Sequence, residues 1–178
     1  AVASHTLPTL TANPTLAAYF SPDVFPITAT ASAGGSITPS GSVNVNYNAN
    51  QSFTVSPNTG YHIDSVVVDG VNQGAVASRD FNTVTANHTI AAYFSIDIHT
   101  IAAGGTAGGT VSPSGLVPVA HGDDQSFTIT PATGYFIADV TVDTVSVGAV
   151  GSYTFTNVTE NHAIVATFAI RTFTVSAT

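Results

Sequence analysis

The sequence predicts an all-β protein built from small antiparallel, sandwich-like β-modules stacked end to end in tandem. Three observations predict it. The chain repeats itself every 74 residues without insertion, so that Ala1–Asp23 recurs at Ala75–Asp97 and Gln51-Ser52-Phe53-Thr54 at Gln125-Ser126-Phe127-Thr128. Apolar and polar residues alternate with period two, which is the strand signal. Turn residues recur every eight to twelve positions or so, the spacing of a sandwich or barrel.

The elements follow in order. Val43, Val45 and Tyr47 alternate with Asn44 and Asn46, and Phe53 and Val55 alternate with Ser52, Thr54 and Ser56. Val66 and Val68 flank Val67, whose counterpart 74 residues on is Thr141. That exchange puts 66 and 68 on the inner face and 67 on the outer. In the closing strand, Leu16/Ile90/Ile164, Ala18/Ala92/Ala166 and Phe20/Phe94/Phe168 stay apolar in all three copies, while Tyr93 becomes Thr167 and faces outward. Gly34-Gly35, Pro39-Ser40-Gly41, Pro57-Asn58-Thr59-Gly60 and Asp69-Gly70 break the strands, because Gly supplies positive φ and Pro removes a donor. The expected core is Ile27, Ile37, Phe53, Val55, Tyr61, Ile63, Val66, Val68, Phe81, Val84, Ile90, Ala92 and Phe94, with the equivalents in the second copy.

Boundaries fall at Ser21-Pro22-Asp23 and Ser95-Ile96-Asp97. They give two complete units, 24–97 and 98–171. Residues 1–23 read as the closing strands of a preceding repeat and 172–178 as the opening strand of a following one. Asp97 runs directly into Ile98, so the units should pack rigidly rather than swing on a linker. A unit of this size buries only about 60–65% of its unfolded surface, and no Cys is present to staple it. Neighbouring units are therefore expected to stabilise one another.

Composition excludes several functions. Charged residues make up 7% of the chain, and the only two cations, Arg79 and Arg171, stand against ten acids, for a formal net charge of −8. Nucleic-acid binding needs clustered Lys and Arg, and so does an anionic membrane surface. No apolar run approaches the ~18–20 residues that cross a bilayer, so no membrane insertion is expected. A lysine-free surface of Thr, Ser, Asn and Gly suits a secreted, extracellular protein at a cell surface. Met is absent, so the chain is expected to be processed or to be part of a longer one.

The run Gly-Gly-Ser-Ile-Thr-Pro-Ser-Gly (34–41) is followed by Asn-Gln-Ser-Phe-Thr-Val-Ser-Pro-Asn-Thr-Gly-Tyr-His-Ile (50–63), then by Val-Val-Val-Asp-Gly (66–70) and Asn-His-Thr-Ile-Ala-Ala-Tyr-Phe (87–94). Together they resemble the divergent internalin B-repeat family of bacterial surface proteins. The second copy carries the same motifs at 108–115, 125–135 and 161–168, but has Thr144 where Gly should complete the Asp-Gly turn, so that turn is expected to be rebuilt. The resemblance implies tandem β-modules used as stalks, spacers or adhesive segments, and brings no catalytic residues.

Candidate sites are sparse. His88 and His162 share a repeat position, whereas His5, His62, His99 and His121 recur nowhere, and no pair has metal-ligand spacing with acids. Asp123-Asp124 sits in a turn and could join a calcium site, but the matching positions are Ala49 and Asn50. Asp69 and Asp143 read as ordinary turn residues. Gly-x-Ser-x-Gly is missing, and the glycine-rich runs precede strands, not helices. No catalytic residue, cofactor or metal is therefore expected. Three sequons, at Asn50, Asn87 and Asn157, are the candidates for glycosylation. The residues expected to pair strands between units are Leu16, Ala18, Phe20, Phe173 and Val175. Their edges need partners, either in a longer chain or in copies of the same chain added head to tail by strand complementation. The expected function is a non-enzymatic fibre or stalk. The alternative is a recognition module that binds carbohydrate or a host protein through Tyr47, Tyr93 and Phe136.

Overall fold

The computed structural model describes residue 15 and residues 17–176. Each unit contains the same eight strands. In the first they are β1 (Val24–Ala31), β2 (Gly35–Thr38), β3 (Gly41–Asn46), β4 (Gln51–Pro57), β5 (Tyr61–Val68), β6 (Val71–Asn72), β7 (Ser78–Phe81) and β8 (His88–Ile96). In the second they are β9 (Ile98–Gly105), β10 (Gly109–Ser112), β11 (Gly115–Ala120), β12 (Gln125–Pro131), β13 (Tyr135–Val142), β14 (Val145–Gly148), β15 (Ser152–Phe155) and β16 (His162–Ile170).

Two sheets face each other in each unit. The larger has the order β3-β1-β8-β5-β6 and the smaller β2-β4-β7, repeated as β11-β9-β16-β13-β14 and β10-β12-β15. Their inner faces make one core per unit. Ile27, Val66, Val68, Ile90 and Ala92 of the larger sheet meet Ile37, Phe53, Val55 and Phe81 of the smaller. Phe53 is fully buried and meets Phe81 edge-on at 5.7 Å. The second core is built from the equivalent residues around Phe127 and Phe155. Hydroxyl-bearing Ser and Thr take the outward positions of β4, and this alternation is what the sequence displayed.

The expected core residues of β5 change parity partway along the strand, from Tyr61 and Ile63 to Val66 and Val68. An irregularity in the β5–β8 register between Ile63 and Ser65 accounts for it, and it recurs in β13 between Ile137 and Asp139. A bulge adds one residue and swaps the faces beyond it. Ala29 and Val45 also belong to the core, although the expected list omits them. The turn after β13 is not rebuilt. Asp143 and Thr144 take φ of 48° and 70°, and Asp69 and Gly70 take 48° and 79°, so both units make the same turn and Thr144 accepts a conformation that suits Gly.

One pairing in each unit is parallel. β1 lies beside β8, with Ile27 opposite His88 and Ala31 opposite Ala92, and β9 lies beside β16 in the same way. Beyond the ladder, the Phe94 N–H donates to Ser32 Oγ and the Phe168 N–H to Thr106 Oγ1, so a hydroxyl extends the pairing at the equivalent position of each unit. Because the first and last strands run the same way, the chain enters a unit at one end and leaves it at the other. β8 then passes into β9 through Asp97 alone.

The Gly-Gly pairs follow from packing. A Cβ at Gly34 would overlap the Tyr61 ring and one at Gly35 the Phe94 ring, and Gly108 and Gly109 stand in the same relation to Tyr135 and Phe168.

Candidate functional site: the joint between repeats

Asp97 is the only residue between β8 and β9, and its peptide groups tie the two units together. Its N–H donates to the Gly60 carbonyl of the first unit at 2.8 Å, and its carbonyl accepts from the His121 N–H of the second at 2.9 Å. Its carboxylate accepts a hydrogen bond from His62 Nδ1 at 2.7 Å. The His121 ring lies against Gly60, so closely that a Cβ there would overlap it. The joint therefore combines backbone bonds, one charged side chain and one ring on a glycine.

The two backbone bonds recur at the equivalent positions. The Tyr47 N–H donates to the Asp23 carbonyl at 2.9 Å, and the Arg171 N–H donates to the Gly134 carbonyl at 2.7 Å. Each is one half of the pattern that Asp97 makes whole. The side chains around it vary. Arg171 Nε donates to the Tyr135 carbonyl at 3.1 Å, where Asp97 instead reaches His62. Phe25 and Tyr47 pack ring to ring at 6.3 Å in the first unit, and in the second His99 and His121 take their places at 5.3 Å.

A second arrangement, missed in the sequence, is repeated inside both units. Asp69, in the turn after β5, accepts from His88 Nδ1 at 2.6 Å and from the Thr89 N–H at 2.7 Å. Asp143 accepts from His162 Nδ1 at 2.7 Å and from the Ala163 N–H at 2.8 Å. The His rings also pack on Phe81 and Phe155. Burial raises both carboxyls, but the hydrogen bonds from His and the backbone, with the attraction of the His charge, outweigh it and hold them below the usual carboxylate value. The dyad straps a turn to the central strand. The signal was the joint recurrence of Asp and His at 74-residue spacing, which the 19-residue separation within a unit concealed.

Of the other predicted residues, Asp124 and Asn157 are brought into contact. Asn50 is occupied: its Oδ1 accepts from the Thr83 N–H at 2.8 Å. Asp124 does the same for the Asn157 N–H, so the acidic pair of the second unit supplies a turn cap at the place of Asn50. Asn157 adopts φ 51° on the surface. Asn87 is exposed. Its equivalent Asn161 accepts from the Thr100 N–H, whereas the residue facing Asn87 in that role is Pro26, which has no N–H. Leu16 lies outside the described residues. Ala18, Phe20, Phe173 and Val175 are exposed and belong to no strand among the described residues. Tyr47, Tyr93 and Phe136 are all exposed and sit on separate strands or turns. Among the described residues no group of three or more His, Cys, Asp or Glu is placed to hold a metal, and no helix is long and apolar enough to cross a membrane.

Fold and joint together define a tandem all-β repeat protein. The divergent InlB B-repeat domain matches residues 25–98 and 99–172. The chain belongs to that family, a repeat of bacterial surface proteins, and carries two tandem copies of it. No match was found among curated proteins or among solved structures.

Proposed function

We propose that the chain is a non-enzymatic structural segment of an extracellular bacterial surface protein, in which repeats add end to end to make a stalk or fibre. The observation that carries this reading is the joint. The parallel first and last strands set the direction of growth, and the Asp97 bonds recur in halves at Asp23 and Arg171. A further repeat on either side, in one chain or from another copy, would complete those halves with the same geometry. Ala18, Phe20, Phe173 and Val175 are the side chains such a neighbour would cover. Small-angle scattering on chains of two, four and six repeats tests the reading. The maximum dimension should grow by a constant step per repeat. Folded-back particles whose dimension levels off would overturn it. Recognition of carbohydrate or a host protein through Tyr47, Tyr93 and Phe136 is less well supported, since Tyr47 packs on Phe25 and the counterpart of Tyr93 is Thr167.

A further inference from the structure

His99 and His121 are a matched substitution. They occupy the positions of Phe25 and Tyr47, and the ring planes meet at nearly the same angle, 48° against 50°. The first unit carries an aromatic pair at this place, with Tyr47 exposed, whereas His121 in the second lies on Gly60. What the exchange adds is two ligand nitrogens. His99 Nε2 and His121 Nδ1 stand 3.1 Å apart, both rings half-buried. Two imidazoles on one divalent first-row ion, bound at 2.0–2.1 Å, hold their nitrogens about 2.9 Å apart in cis square-planar geometry and about 3.3 Å apart in tetrahedral geometry. The observed separation lies between these values.

The backbone holds both residues in place. His99 sits in the β9–β11 ladder opposite Val119, and the His121 N–H is fixed by the Asp97 carbonyl. The contact is an N–H···N hydrogen bond between the two rings, so one of the facing nitrogens carries a proton. Binding an ion moves that proton to the same ring's other nitrogen, after which both facing lone pairs are free for the metal. We propose that His99 and His121 form a two-histidine site for a divalent transition-metal ion of the imidazole-preferring kind, Cu²⁺ before Zn²⁺, at the seam between the two repeats. Two imidazoles fill two coordination positions and water fills the rest, because no third His, Cys, Asp or Glu is placed with them among the described residues. Imidazole nitrogens without thiolates favour these ions over Ca²⁺ and Mg²⁺. The ring that binds is also the one lying on Gly60, so occupancy fixes a group that both units touch.

The test is a calorimetric titration of the whole chain with Cu²⁺ and with Zn²⁺ at neutral pH in a non-chelating buffer. It is repeated on the double variant His99→Phe/His121→Tyr, which copies the pair of the first unit. The wild type should bind one ion at a saturable site, Cu²⁺ more tightly, and the variant should bind at least about tenfold more weakly. Circular dichroism in EDTA checks that the variant stays folded. Should it unfold, histidine-ring NMR of the wild type decides. On adding Zn²⁺ the His99 and His121 signals should move first, ahead of those of His5, His62, His88 and His162. Absence of saturable binding, equal affinity in a folded variant, or first movement at any of the other four rings would each overturn the proposal.

Discussion

Asp69 and Asp143 show how one residue type can serve two purposes in the same place. Each makes a turn with positive φ and each grips the His of the central strand. The sequence displayed the first purpose, since Asp in a turn has its own local chemistry. It hid the second, because contact across a sheet leaves no short-range spacing to read. Both carboxyls are held below their ordinary value, so they contribute stability above the unfolded value of about 3.9 and lose it as pH falls through the depressed folded values. Urea midpoints should therefore drop on acidification below about pH 4, and the drop should shrink in the Asp69→Asn/Asp143→Asn double variant. Both side chains are close to half exposed, so water screens the pairs. At pH 7 each single substitution should cost only about 1 kcal/mol.

Turns and strands differ in how openly the sequence shows them. Period-two alternation gave β4 and β12 directly, because Phe53/Val55 and Phe127/Ile129 are flanked by small polar residues. The bulge in β5 was visible only as a change of parity in the expected core. The parallel pairing of β1 with β8 left no local trace, since it joins the two ends of a unit. Thr144 is the clearest conflict between residue and element. A β-branched residue at φ 70° is strained, and Gly occupies the same turn at 79° in the first unit. Thr144→Gly should raise the unfolding free energy by about 1 kcal/mol, read from chemical denaturation, with the β13–β14 pairing unchanged.

At the scale of the whole molecule, the interface between repeats decides the behaviour. The sequence shows Asp97 directly before Ile98 but could not say what Asp97 touches. Comparing Phe25 with His99 and Tyr47 with His121 in register would have marked the joint, because two aromatics change together. Gly60 and Gly134 isolate its contribution. Both have positive φ, 77° and 84°, so Ala carries similar backbone strain at each. A Cβ at Gly60 would strike the His121 ring, and one at Gly134 meets nothing within 4 Å. Gly60→Ala should therefore destabilise by about 1–2 kcal/mol more than Gly134→Ala, measured as the difference between their denaturation midpoints. Equal costs would mean that the ring contact adds nothing to the hold between units.

The neighbouring parallel strands also determine how a unit meets tension. Pulling on the two ends of a unit draws β1 from its beginning and β8 from its far end. The bonds from Ile27–His88 to Ala31–Ala92 then carry the load together, in shear, where a hairpin would unzip one bond at a time. Rupture requires all of them to give way at once, so each unit resists stretching most strongly along the direction in which the chain threads it.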